Sequence, residues 1–182
     1  MKTLKSICIT IVLFTITSNA QITKGNWMVG GSGSISSSSY ESTSSNSVNK
    51  GKSSGIQISP TLGYFLADKF AAGLSGGFGF GTVENGSSGT SYTVGPFVRY
   101  YFLKPEKTVN IFAQIGTLFG GGSTDSKFSN YSFKAGPVIY FNSSVGMEVT
   151  LNYDIQRNLS TFSDTTFKTL NIGIGFQIHL EK

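Results

Sequence analysis

Cysteine is nearly absent: Cys8 is the single one in 182 residues, and it falls within the first ten. A chain that loses that stretch has no disulfide, no thiolate metal ligand and no cysteine nucleophile. Histidine is as scarce, with His179 alone near the far end. One imidazole without thiolates does not build a zinc or iron site, so no metal and no cofactor are expected. Charge is thin: 13% of residues are Asp, Glu, Lys or Arg, about half the usual share. The 14 Lys and Arg are scattered along the chain without aromatics interleaved, which excludes nucleic-acid binding. Long hydrophobic runs are missing too, and a mean hydropathy of +0.03 excludes a bundle of membrane helices. What is abundant is glycine, 23 residues, and aromatic rings, 13%. Together with the β-branched residues they exclude a disordered, solvating chain.

The most apolar stretch, Ile7 to Ile16, is broken by Thr10 and Thr15, follows Lys2 and Lys5, and precedes Ser18-Asn19-Ala20. A positive start, a short apolar run and small residues before the cut make a secretory signal, with cleavage between Ala20 and Gln21. Ten residues of helix reach only about 15 Å, half the hydrocarbon thickness, which argues against an anchor. The expected organisation is a cleaved signal peptide over 1–20 and one domain over 21–182. Cleavage removes Cys8 and lowers the net charge of +5 by two.

From Trp27 onward the dominant period is two, the signature of half-buried strands. Met147, Val149, Leu151, Tyr153 and Ile155 share one face, with Glu148, Thr150, Asn152 and Asp154 on the other. The last such segment sets Leu170, Ile172, Ile174, Phe176 and Ile178 against Asn171, Gly173, Gly175, Gln177 and His179. Eight segments follow this rule, near 26–36, 55–66, 70–82, 91–102, 108–119, 130–141, 146–157 and 167–180. Long polar connections (37–54, 83–90, 120–129, 158–166) alternate with tight ones (67–69, 103–107, 142–145). Strands of this length, with long loops at one end and tight turns at the other, predict an all-β fold. Specifically, they predict an eight-stranded antiparallel up-and-down transmembrane β-barrel.

Three segments also share a motif. Ser59-Pro60, Gly95-Pro96 and Gly136-Pro137 each place an outward proline four residues before an outward aromatic, Tyr64, Tyr100 or Phe141. Proline removes a ladder donor, so a bulge or a widened pair is expected at one recurring height. Outward aromatics sort into two girdles: Trp27, Tyr64, Phe70, Tyr100, Phe102, Phe141 and Phe176 near the tight turns, and Phe80, Tyr92, Phe119 and Tyr131 near the long loops. Amphipathic rings prefer headgroup depth, so two girdles around an aliphatic band fit a bilayer.

With this pattern the chain resembles the small outer-membrane β-barrel family of Gram-negative bacteria, the OmpA/OmpX-like and OmpW-like eight-stranded proteins. The resemblance covers 21–182 and implies residence in the outer membrane. It also implies that Asn171, Gly173, Phe176 and Ile178 on the last strand form the signal read by the barrel-assembly machinery. Outer-membrane lipid and lipopolysaccharide are the other expected partners, and the protein is expected to be a monomer.

An eight-stranded lumen is just wide enough to be filled by side chains. Alternation turns Arg99, Lys134, Glu148 and Asp154 inward, and buried charges need partners. The turn after the sixth segment allows two registers, with Lys134 opposite either Asn152 or Asp154. A lumenal ion-pair network of Arg99, Lys134, Glu148 and Asp154 is expected, serving as a plug or as a gate in a narrow pore. His179 points inward at the tight-turn end, a polar mouth residue with no fixed serine beside it, so no catalytic residues and no enzyme are expected. The stretch 36–54, with ten serines, reads as a solvated surface loop. The expected role is a structural or surface-interaction protein acting through its long loops. The alternatives are a narrow pore for small or apolar solutes and, more remotely, a lipid-modifying enzyme.

Overall fold

The computed structural model describes residues 22–44, 47–83, 88–122, 127–158 and 166–181. The predicted leader and its cut between Ala20 and Gln21 lie outside the described residues. Each alternating segment forms a strand: β1 (Trp27–Ser44), β2 (Ser47–Ala67), β3 (Phe70–Val83), β4 (Ser88–Tyr101), β5 (Val109–Gly122), β6 (Lys127–Tyr140), β7 (Val145–Asn158) and β8 (Thr166–Leu180). Every strand pairs antiparallel with its sequence neighbour, and β1 closes on β8. Closure leaves no free strand edge along the belt.

The two faces are inverted relative to a water-soluble barrel. Ile172 is 70% and Leu170 65% exposed on the outside, whereas Arg99 and Gln177 inside are 2% and 1% exposed. Leu74, Ile115, Leu151 and Ile174 continue the same exposed apolar wall. The aromatic girdle at the tight-turn end is assembled across and along strands: Trp27 on β1 meets Tyr64 on β2 edge-on with centroids 5.1 Å apart, and Tyr100 meets Phe102 just past the end of β4 at 5.3 Å.

At the long-loop end the strands outrun the sequence expectation. The stretch 37–54, expected as a loop, is largely hairpin: β1 and β2 stay in one register from Trp27↔Tyr64 up to Ser44↔Ser47. Pairing of β1 with β8 stops at Gly33↔Ile174, so this hairpin rises above the closed wall. Backbone hydrogen bonds carry the ladder wherever no proline interrupts it, and the stretch has none. Its polar alternation reads as a loop only because neither face is apolar.

The prolines resolve as widened pairs and not as bulges. Pairing of β2 with β3 skips Ser59 and Pro60, that of β4 with β5 skips Gly95 and Pro96, and that of β6 with β7 skips Gly136 and Pro137. The register is the same on both sides of each gap. Each proline keeps its pairing on the other side, with Gly31, Leu74 or Ile111. The one register shift of β2 falls between Phe65 and Ala67, beside the tight turn. At two of the seams glycine is required by space. A Cβ at Gly95 would collide with the Thr117 carbonyl oxygen, and one at Gly136 with that of Val149.

Candidate functional site

The lumen is divided into levels by what each strand turns inward. At the tight-turn end β4 contributes Phe97, Arg99 and Tyr101 in succession, all nearly without exposure. The adjoining strand β3 makes room for them: Arg99 pairs with Ala71, and Phe97 with Gly73. Small residues facing large ones let a narrow barrel close its cross-section.

Arg99 is the hub of this level. Its Nη1 lies 2.9 Å from Glu148 Oε2 on β7, and its Nε donates to Gln114 Oε1 on β5 at 2.8 Å. Nη1 also donates to Gln177 Oε1 on β8 at 3.0 Å and to the Tyr101 hydroxyl at 3.3 Å. Tyr101 in turn donates to Gln177 Oε1 at 2.6 Å, and Gln177 Nε2 donates to the Tyr140 hydroxyl at 3.2 Å. The guanidinium carbon sits 4.1 Å from the centroid of the Phe112 ring. Gly175 leaves space for the Glu148 side chain, since a Cβ there would lie 3.1 Å from its Oε1. One cation is thus satisfied by a carboxylate, two amides, a phenol and a ring, drawn from four strands. In a low-dielectric interior such a set holds only when every member is satisfied.

Beneath the hub, Phe65, Tyr101 and Tyr140 surround the His179 ring at centroid distances of 5.3, 6.3 and 5.6 Å. His179 is therefore a buried residue and not a polar residue at the mouth, because the chain before β1 folds under it. Ile22 is fully buried against this cluster. Its carbonyl accepts from Lys69 N, while Gly25 N donates to Phe65 O and Phe65 N to Asn26 O. Gly25 takes φ +96° to make that turn, a conformation that suits glycine.

The four expected lumenal charges divide between two levels. Arg99 and Glu148 meet in the hub, whereas Lys134 and Asp154 lie above it. The turn takes the shorter of its two registers, so Lys134 faces Asn152 and Asp154 faces Ser132. The Asp154 carboxylate accepts from Asn130 Nδ2 at 3.2 Å. Among the described residues the close ion pair of this set is Arg99–Glu148, and no ion pair within 4.0 Å joins Lys134 to Asp154. Lys134 instead lines a small polar chamber of about 40 Å³ with Gln114, Ser132, Asn152, Asp154 and Asn171. Asn130 Oδ1, Ser132 Oγ and Asn152 Oδ1 have no protein partner there, so the chamber suits bridging water.

Above the chamber the lumen widens into an open vestibule of about 750 Å³. Its inward wall is neutral: Ser34, Ser53, Gln57, Ser91, Gln156 and Thr169. Among the described residues no three His, Cys, Asp or Glu side chains gather as metal ligands. Of the expected assembly-signal positions, Asn171 and Gly173 face inward. Phe176 and Ile178 face outward on the edge paired with Gly31 and Val29. Sequence reading missed Gln114, Gln177 and Ile22. The amides carried a signal, inward parity beside an unpartnered arginine, but Ile22 carried none.

No family model and no curated sequence matches the chain. Solved structures do match, and the fold is decided by them together with the closed topology. The outer membrane protein OprG from Pseudomonas aeruginosa superposes with a TM-score of 0.56 at 13% identity, covering 91% of this chain and 100% of that one. Neisserial surface protein A gives 0.55 at 12% identity, over 87% and 98% of the two chains. The N-terminal β-barrel domain of Pseudomonas aeruginosa OprF gives 0.53 at 13% identity, over 86% and 98%. The chain shares the closed eight-stranded fold of these outer-membrane barrels. At this identity the likeness is one of fold, consistent with the family resemblance of the pattern.

Proposed function

We propose that the protein is an integral outer-membrane barrel, exported through its cleaved leader, that works as a sealed scaffold presenting its long-loop end at the cell surface. The observation that carries this reading is the Arg99 hub, which closes the lumen below a neutral, open vestibule. The exposed apolar wall and its aromatic girdles support the membrane setting. Assembly through Asn171, Gly173, Phe176 and Ile178, and life as a monomer, belong to the same reading, which assigns no catalytic role. The test is fractionation of expressing cells, with gel mobility compared before and after boiling. Recovery with the outer membrane and a faster unheated band are expected; recovery in a soluble fraction would contradict it.

A second reading, a route for small apolar solutes, is favoured by one feature. The seam at Pro96 opens outward as an apolar groove of about 310 Å³, lined by Val98, Ile115, Thr117, Tyr131 and Phe133 and reaching Phe97 and Gly116. Uptake of an apolar fluorophore into vesicles that falls in a Gly116→Leu variant would favour this route over the sealed scaffold.

A further inference from the structure

The closed wall does not end evenly. β1 runs on to Ser44 and β8 begins at Thr166, yet their pairing stops at Gly33↔Ile174, at the upper margin of the belt. Above that rung each strand is paired on one side only, β1 with β2 and β8 with β7. Two free strand edges therefore face each other across a gap. Below the fork the strands are in close contact: a Cβ at Gly30 would lie 2.6 Å from Phe176 O, and one at Gly175 2.7 Å from Gly31 O. At Gly33 a Cβ would meet only Gln57 O of β2, and at Gly173 only Thr150 and Asn152 of β7. The three most exposed large apolar side chains among the described residues flank this gap: Ile35 at 84%, Ile172 at 70% and Leu170 at 65%. Ile35 and Ile172 point outward, yet both line the vestibule together with the inward Ser34, Ser36 and Asn171. The vestibule thus reaches the outside through the gap.

Backbone N–H and C=O groups left unpaired beside lipid are costly, and an open edge recruits another strand. The register of the closed part says which strand that is. Continued upward, it sets Ser34 opposite Gly173, Ile35 opposite Ile172, Ser36 opposite Asn171 and Ser37 opposite Leu170. These rungs fit: a serine faces glycine, an amide or leucine, and the two isoleucines meet on the outer face. Neither strand carries a proline between its last rung and this level, so every backbone group is able to pair. Gly33 and Gly173, one on each side of the fork, give both strands the freedom to part. We propose that β1 and β8 above Gly33↔Ile174 form a two-state seam, which zips shut in this register and opens as a side window of the vestibule. Gln177 pairs with Gly30 in the closed part, so the Arg99 hub keeps its wall in both states. Opening therefore reshapes the vestibule and leaves the seal beneath it intact.

The experiment uses the barrel in phospholipid vesicles, in a Cys8→Ser background, with each variant required to keep its heat-dependent gel shift. Two in-register pairs are made, Ile35→Cys/Ile172→Cys and Ser36→Cys/Asn171→Cys. Adjacent antiparallel rungs alternate between close and wide spacing, so one of the two suits a disulfide whichever way the alternation falls. A slipped pair, Ser34→Cys/Asn171→Cys, is the control. Under mild oxidation at least one in-register pair is expected to close at least tenfold faster than the slipped pair. Closure of the slipped pair at the same rate, or of no pair, would overturn the zipped state. The open state is read separately, from the distance distribution between nitroxides on a Ser37→Cys/Leu170→Cys variant in the same vesicles. Two distance populations are expected. A single short distance would overturn the window, because the wall is then permanently shut; a single long one would overturn the zipper.

Discussion

Arg99 illustrates how one buried charge constrains a whole cross-section. Its guanidinium draws on Glu148, Gln114, Gln177, Tyr101 and Phe112, so each contributes to holding the charge out of water. Removing one member of a buried pair leaves an uncompensated charge, at a cost of roughly 3–5 kcal/mol. Glu148→Gln is expected to lower the unfolding free energy of the barrel by an amount in that range, read as a lower urea midpoint at unchanged slope. A double replacement, Arg99→Met with Glu148→Leu, is expected to recover most of the loss, because neither charge then remains buried. A double variant as unstable as the sum of its single variants would show that the pair is not coupled. Parity in the sequence was enough to turn Arg99 and Glu148 inward. It could not say that they meet, because β4 and β7 lie across the lumen and their relative height depends on the stagger of the intervening strands. For the same reason Lys134 and Asp154 were grouped with them, although their level lies higher.

At the scale of the element, the proline seams were legible and their consequence was not. A missing N–H predicts a gap in the ladder, but a gap can be absorbed by an extra residue or by a widened pair. The unchanged register across all three seams identifies the second. The Gly before Pro96 and Pro137 then has a testable role. Gly136→Ala would drive a methyl into the Val149 carbonyl, whereas a Cβ at Gly81 would meet Ser54 O at an ordinary 3.7 Å. Gly136→Ala is expected to reduce the folded fraction and Gly81→Ala to leave it unchanged, read by the heat-dependent gel shift. Similar folded fractions for the two would contradict the close approach. The β1–β2 hairpin makes a second case. Because pairing continues to Ser44↔Ser47, amide exchange is expected to remain slow past Gly33, through the level of Ser37↔Ser54. Exchange at loop rates from Ser36 onward would restore the sequence reading of a solvated loop.

For the molecule as a whole, period two over eight segments, alternating connection lengths and two aromatic girdles were enough to read the barrel from the chain. The height of its walls was not, since the polar strands above the apolar belt lack the apolar face that marks a strand. The central claim is that the apolar exterior encloses a lumen sealed by the Arg99 hub and by Ile22 below it. Ion conductance of the folded barrel in a planar bilayer tests this most directly, with the heat-dependent gel shift establishing that the inserted protein is folded. The expected result is no steady conductance from wild type. Steady conductance from folded wild-type protein would contradict the seal and make the lumen a pore.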